Sequence, residues 1–260
     1  MLGGSNYQGE MQEFIFDFKG MRPASAFGLH YAPNAFLSFQ AEFMVGKLSG
    51  RDALNSMNQS NRVRNLSFES GLQELSILAR FNLLNSNRIP IVPYGTGGVA
   101  VFRVDPFTTD GEGNKVFLYP LSTEGQGLPQ YPKRHVQNRV RLSLPFGPGL
   151  EVRLTKYLRI DLEVLFRKTF TDYIDDVSSE YPDEAILLAA RGPKAVELSW
   201  RGDEVAGGNP NFPAAGSQRG NPLHMDWYHS FNVRLRLSNP EWDWKIERKK
   251  VKAKTGCWKK

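Results

Sequence analysis

The stretch Arg139-Val-Arg-Leu-Ser-Leu-Pro-Phe-Gly-Pro-Gly-Leu-Glu-Val-Arg-Leu154 decides the fold, together with Tyr157-Leu-Arg-Ile-Asp-Leu-Glu-Val-Leu-Phe-Arg167 beyond the link Thr155-Lys156. Val140, Leu142, Leu144, Phe146, Leu150, Val152 and Leu154 point one way, and Arg139, Arg141, Ser143, Gly147, Gly149, Glu151 and Arg153 point the other. After the link, Leu158, Ile160, Leu162, Val164 and Phe166 alternate with Arg159, Asp161, Glu163 and Arg167. Successive side chains of an extended chain face opposite sides, so a period of two marks a strand with two unlike faces. Two such strands joined by two residues form a hairpin. The first run is also far longer than the about five or six residues of an ordinary soluble strand, whereas a tilted membrane strand needs about 9–11.

The pattern recurs outward from this hairpin. Leu37, Phe39, Ala41, Phe43 and Val45 alternate with Ser38, Gln40 and Glu42, and Leu75, Ile77, Ala79 and Phe81 with Glu74, Ser76 and Arg80. Val92, Tyr94, Ala100 and Phe102 share a face with Thr96 and Gly98. Phe231, Val233, Leu235 and Leu237 alternate with Ser230, Asn232, Arg234 and Arg236. Weaker strands are read near 2–8 and 24–32, which makes about eight, an even number. The links then sort by length. Short ones fall at Ala32-Pro33-Asn34, before Pro90 and at Thr155-Lys156, and long ones at roughly 9–23, 48–68, 105–138 and 172–226. Strict alternation puts all short links at one end, as in outer-membrane barrels with short periplasmic turns and long external loops.

Alternation alone does not say which face is inside. A soluble lipocalin-like binding barrel puts Leu and Phe inside, and a membrane barrel inverts this. Three features favour inversion. The polar face carries both signs at Glu42, Glu74, Arg80, Arg141, Glu151, Arg153, Arg159, Asp161, Glu163, Arg167, Arg234 and Arg236, which can pair as barrel-interior charges. Gly147 and Gly149 lie on that polar face, where a narrow barrel has little room. Tyr31, Tyr94, Tyr157, Trp227 and Tyr228 fall near predicted strand ends, as interfacial girdles do. The fold class expected is therefore all-β: an eight-stranded antiparallel up-and-down transmembrane β-barrel embedded in outer-membrane lipid. Side chains fill a barrel of that size, so function falls to the loops, the lipid face or the tail.

The 260 residues carry a net charge of +6, with a sequence pI of about 9.4. A basic pI first suggests nucleic acid. However, the excess is local. Lys245 to Lys260 holds eight basic residues against Glu247, which leaves the first 244 residues near −1. No broad basic face remains, so no nucleic-acid partner is expected. Two units follow: a barrel over 1–238 and a basic tail over 239–260. An even strand count puts the tail in the periplasm. Its candidate partner-binding residues are Trp242, Trp244, Lys245, Arg248 and Cys257. Cys257 is the one cysteine, so it is either a free thiol or half of an interchain disulfide. Met1 to Ser5 shows no basic and apolar leader pattern, which leaves open how the N-terminus is processed.

Chemical motifs are sparse, and none calls for a cofactor. His30, His135, His224 and His229 have no helical metal spacing and read as interfacial or loop histidines. Gly95-Thr-Gly-Gly98 lies mid-strand and reads as a barrel-curvature device rather than a phosphate cradle. Asp172-Tyr-Ile-Asp-Asp176 with Glu180, and Asp110-Gly-Glu-Gly-Asn114, are oxygen-rich enough for calcium but lack a known calcium-loop spacing, so solvated loops are expected. Asp183 to Arg191 reads as a short helix, started by Pro182-Asp183 and stopped by Gly192-Pro193. An outer-membrane lipid-modifying enzyme is the alternative function, with His135, Ser122 and Asp172 as its candidates. No spacing links those three.

Several strings resemble one family of barrels. They are Leu2-Gly-Gly-Ser-Asn-Tyr7, Arg64-Asn-Leu-Ser-Phe68, Pro120-Leu-Ser-Thr-Glu-Gly-Gln-Gly-Leu128 with Tyr131-Pro132, Pro145-Phe-Gly147 and Arg167-Lys-Thr-Phe-Thr-Asp-Tyr-Ile-Asp-Asp-Val-Ser178. Together they are similar to the PorG-like proteins of the type IX secretion system, from residue 2 to about 237. The resemblance implies a non-enzymatic outer-membrane component of a Gram-negative protein secretion machine. It implies contact with the periplasmic ring of the lipoprotein PorK and its partner PorN, and no catalytic residues. Arg248–Cys257 matches the family's basic ending with a late cysteine.

Overall fold

The computed structural model describes residues 1–12, 19–54 and 59–238. Its strands are β1 (Leu2–Gln8), β2 (Arg22–Tyr31), β3 (Leu37–Arg51), β4 (Ser67–Asn82), β5 (Ile91–Thr109), β6 (Lys115–Phe117), β7 (Val140–Arg153), β8 (Leu158–Thr169) and β9 (Trp227–Leu237). Apart from β6, each pairs antiparallel with its sequence neighbour, β5 with β7 included. β1 pairs with both β2 and β9, which closes the sheet. β6 is a short hairpin extension of β5 with no part in the closure. The molecule is thus a closed eight-stranded antiparallel up-and-down barrel, and closure leaves no open edge.

The turns at 32–36, 83–90 and 154–157 lie at one end, together with Ser238, the last described residue, while Met1 lies part-way along the barrel beside Ala26. Met1 O accepts from Ala26 N at 3.1 Å, and Ser238 N donates to Tyr157 O at 2.8 Å. The described parts of the long connections, 9–12, 19–21, 52–54, 59–66, 110–139 and 170–226, lie at the other end.

The outer face is apolar. Leu29, Ile77, Leu142 and Leu235 are 80%, 61%, 61% and 61% exposed. A soluble barrel would bury these side chains, so this is a transmembrane barrel with lipid as its outer solvent. Among the described residues, no helix is long and apolar enough to cross a membrane.

The interior has two zones. From the short turns to mid-barrel it is ionic. Arg80 bridges Glu151 and Asp161, and Arg236 bridges the same two carboxylates. One layer up, Arg234 pairs with Glu42 at 2.8 Å and Glu163 at 3.1 Å. Above that, Arg167 pairs with Glu74 at 2.8 Å, and Tyr228 Oη donates to Glu74 at 2.6 Å. Arg159 pairs with Glu151 at 3.0 Å from a half-buried position. Toward the long loops the inward face turns apolar at Met44, Leu48, Phe68, Leu72, Phe102 and Val104, onto which Met11, Leu66, Leu118, Ile174, Val177 and Leu198 descend from the loops.

Several expectations change. Tyr94 and Tyr228 are not girdle residues, because both are buried inside. The Tyr94 ring lies under the Arg80 guanidinium, 3.5 Å from it. It also fills the place of a side chain at Gly149, where a Cβ would come within 2.1 Å of Tyr94. Tyr31 and Tyr157 are exposed near the short turns. Trp227 packs against Phe146 on the outer face near the loops. Two charges read as interior lie at the barrel rims. Arg153 donates to the Ser86 and Asn87 carbonyls of a short turn, and Arg141 to Thr171 and Tyr119 at the opposite mouth. Short turns and loops at the strand ends supply neutral acceptors there, so neither needs a carboxylate.

Candidate functional site

The long loops fold together into a cap over the apolar zone. Their helices are α1 (Gln59–Arg64), α2 (Glu184–Arg191) and α3 (Pro193–Ser199). Asp183 caps α2 by accepting from Ile186 N at 3.0 Å, which is the expected start. Gly192, at φ +83°, ends α2, and Pro193 opens α3 at once. The α2–α3 hairpin buries Leu187, Ala195 and Leu198. Pro193 reads in the sequence as a stop, and nothing in the pattern distinguished a stop from a restart.

Three buried polar knots hold the cap. In the first, Arg64 grips Asp52 with two bonds of 2.7 Å, while Leu66 N donates to the same carboxylate. Burial works against the Arg64 charge, but Asp52 overrides it and leaves the guanidinium above its ordinary pKa. In the second, Glu124 accepts from Ser178 N at 2.8 Å, Tyr173 Oη at 2.9 Å, Ser179 Oγ at 2.7 Å and Arg219 Nη1 at 2.9 Å. Thr123 Oγ1 donates to Asp176 at 2.5 Å. Asn65, Ser122 and Asp176 hold φ of 57°, 51° and 68° in these segments, left-handed backbone that the packing maintains.

The third knot is acidic. Asp175 and Asp226 are fully buried, and Tyr7 Oη lies 2.6 Å from one and 3.0 Å from the other. One carboxylate oxygen from each of Glu10, Asp175 and Asp226 lies within 4.8 Å of the other two. Asp172 adjoins them and is only 4% exposed. The run 172–176 is therefore not a solvated loop. Ile174 and Val177 descend into the apolar zone and pull the intervening carboxylates inside. Burial raises their pKa values: Glu10 to about 8, Asp172 to about 10, Asp175 to about 6 and Asp176 to about 7. Asp226 is raised well above the carboxylate range for the same reason.

The Asp110 carboxylate accepts from Asn114 N at 2.8 Å, Glu112 N at 3.0 Å and Lys194 Nζ at 3.0 Å, and these bonds hold its pKa down at about 2. That oxygen set stitches its own turn to α3. Ser122 Oγ accepts from Arg191, His135 is exposed, and Asp172 is buried in the acidic knot. Among the described residues these three form no triad. His30 turns inward, 2.8 Å from Arg236 Nη1, instead of sitting at an interface. His229 packs on Phe166 and Gln8 near the loop end, and His224 lies beside Asn221. Gly95–Gly98 lies inside β5.

At the short-turn end a cavity of about 650 Å3 opens between Glu42, His30, Arg159, Arg234 and Arg236. It adjoins Ser238, beyond which the tail begins. Trp242, Trp244, Lys245, Arg248 and Cys257 lie outside the described residues.

No family model matches the chain, and no curated protein matches it either. Among solved structures, Neisserial surface protein A is similar, with 9% sequence identity, 92% of this chain and 93% of that chain covered, and a TM-score of 0.44. The eight-stranded closure described above stands on the strand register itself.

Proposed function

We propose that this chain is a non-enzymatic outer-membrane component of the type IX protein secretion machinery. Its barrel anchors it in lipid, and its short-turn face and basic tail contact the periplasmic ring of PorK and PorN. One observation carries the reading. Four of the five strings that resemble the PorG-like family, scattered through the sequence, reach the cap, while Pro145–Gly147 lies in β7. Tyr7 touches Asp175 and Asp226, Glu124 binds Ser178, and Leu66, Phe68, Ile174 and Val177 share one apolar cluster. Such meeting is what strings that define one fold would do.

The two-zone interior supports an anchor rather than a pore, because ionic layers and the capped apolar zone fill the space between the mouths. The charged cavity at the short-turn end opens beside Ser238, the last described residue. Eight cations within sixteen residues, with Trp242 and Trp244 at their start, suit an acidic protein surface with apolar pockets.

The test is co-purification of the ring from membranes holding the full chain or a chain lacking 239–260. PorK and PorN are expected with the full chain and to be strongly depleted without the tail. Equal recovery would remove the tail from the account, and failure of the full chain to recover either protein would overturn the proposal.

A further inference from the structure

The acidic knot under the cap gathers four carboxyl groups out of water. Glu10 comes from the first long loop, and Asp172, Asp175 and Asp226 from the last. Among the described residues, the donors aimed at Asp172, Asp175 and Asp226 are few. Tyr7 Oη carries one proton, yet it approaches both Asp175 and Asp226. Ile174 N donates to Asp226 at 2.7 Å, Val177 N to Asp175 at 2.9 Å and Asn221 N to Glu10 at 3.1 Å. The nearest cations, Arg64 and Arg219, are already committed to Asp52 and Glu124.

Asp172 makes the case independently of the other three. It is 4% exposed, and among the described residues neither of its carboxylate oxygens accepts a hydrogen bond. Its placement aims it at the knot. Asp226 N donates to the carbonyl of Thr171, the residue before Asp172, and Asp226 Oδ2 accepts from Ile174, two residues after it. The 171–175 segment therefore wraps the Asp226 carboxylate. A buried carboxylate without donors costs several kcal/mol unless a proton or a cation accompanies it.

A Cβ at Gly9 would fall 2.0 Å from Tyr7 Oη and 2.1 Å from Asp226 Oδ1, so only glycine lets the chain pass here. A groove of about 1020 Å3, lined by Gly9, Glu10, Asn221 and Trp227 among others, opens from outside beside Glu10. The donors are all hard oxygens in an irregular arrangement. That set suits calcium, which takes about 6–8 oxygen ligands at about 2.3–2.6 Å, and does not suit soft transition metals. The oxygens of Glu10, Asp175 and Asp226, within 4.8 Å of one another, fit around one ion of that reach, and Asp172 stands beside them.

We propose that Glu10, Asp172, Asp175 and Asp226 form a calcium site that ties the first long loop to the last and so holds the cap closed. The Tyr7 hydroxyl orients two of the ligands.

The experiment uses the full chain folded in detergent micelles, with 45Ca2+ in equilibrium dialysis at pH 7.5. One calcium per chain is expected. Asp175→Asn and Asp226→Asn, which keep shape and can still accept hydrogen bonds, should each weaken binding by at least about tenfold, since ligand charge sets calcium affinity. Asp110→Asn, outside the knot, should leave it unchanged. Absence of calcium binding by the unaltered chain, or undiminished binding in the Asp175→Asn/Asp226→Asn double variant, would overturn the proposal. If the variants fail to fold, the unaltered chain decides alone by limited proteolysis in calcium against EGTA. Calcium should slow cleavage within 9–21 and 170–226, and equal cleavage in both conditions would overturn the proposal.

Discussion

Among the described residues, Arg167 is the largest side chain buried with no exposed surface, and Glu74, 1% exposed, is its one ionic partner. Its other bonds go to Ser230 Oγ at 2.5 Å, the Leu165 carbonyl and the Met44 sulfur. Glu74→Ala should therefore strand a charge in the barrel and remove the acceptor of Tyr228. A destabilisation of about 3–5 kcal/mol is expected in urea unfolding from lipid vesicles. Replacing both partners, as in Glu74→Met with Arg167→Met, should recover most of that loss, because an apolar pair leaves no buried charge. A double variant no better than the single one would mean that Arg167 contributes through more than Glu74. At this scale the sequence was informative wherever a charge sat on a strand with a clear polar face. Arg80, Arg167, Arg234 and Arg236 all lie inside. It misled at Tyr94 and Tyr228, because an aromatic near a strand end has the same pattern whether it faces lipid or fills the space opposite a glycine.

Strands were legible as elements, and loops were not. β3, β4, β7, β8 and β9 announce themselves by a period of two. β5 is harder to read because Val92, Tyr94, Phe102 and Val104 face inward while Val99 and Val101 face outward, so both faces are apolar. The upper apolar zone was missed for the same reason. Phe68 and Leu72 share the inward face of β4 with Glu74 and Arg80, and one face that changes character halfway has no single label. In the loops, the acidic run looked solvated because burial there depends on partners more than 40 residues away, such as Glu124 and Tyr7.

That burial has a pH consequence at the scale of the cap. Asp175, Asp176 and Glu10 hold protons in the fold up to about pH 6, 7 and 8, whereas unfolded carboxyls release them near pH 4. Between those limits the folded state binds more protons, so stability falls as pH rises. In EGTA, the cap should become more susceptible to proteolysis from pH 5 to pH 8. Cleavage within 170–226 that is flat or slower at pH 8 would contradict the raised carboxyls. Calcium competes with those protons, so its protection should grow over the same range.

At the scale of the whole molecule, three features form one design. A lipid-facing apolar surface, an interior filled by ion pairs and buried loop residues, and a sorting of long loops to one end and short turns to the other belong together. The basic pI, which first suggested nucleic acid, comes from sixteen terminal residues, and the barrel itself is nearly neutral. The architecture was largely visible in the sequence because loop length and strand alternation are one-dimensional properties. The capped end was not, because it is made by contacts among four loops.

The central claim is that the leucine face meets lipid and the charged face is packed inside. Spin labels at single cysteines across 140–146, in a Cys257→Ser background in vesicles, test it most directly. Collisions with dissolved oxygen should be frequent at 140, 142, 144 and 146 and rare at 141, 143 and 145, while a water-soluble relaxing agent should not reach 142 or 144. The opposite alternation, or free access of the water-soluble agent to 142 and 144, would contradict the account.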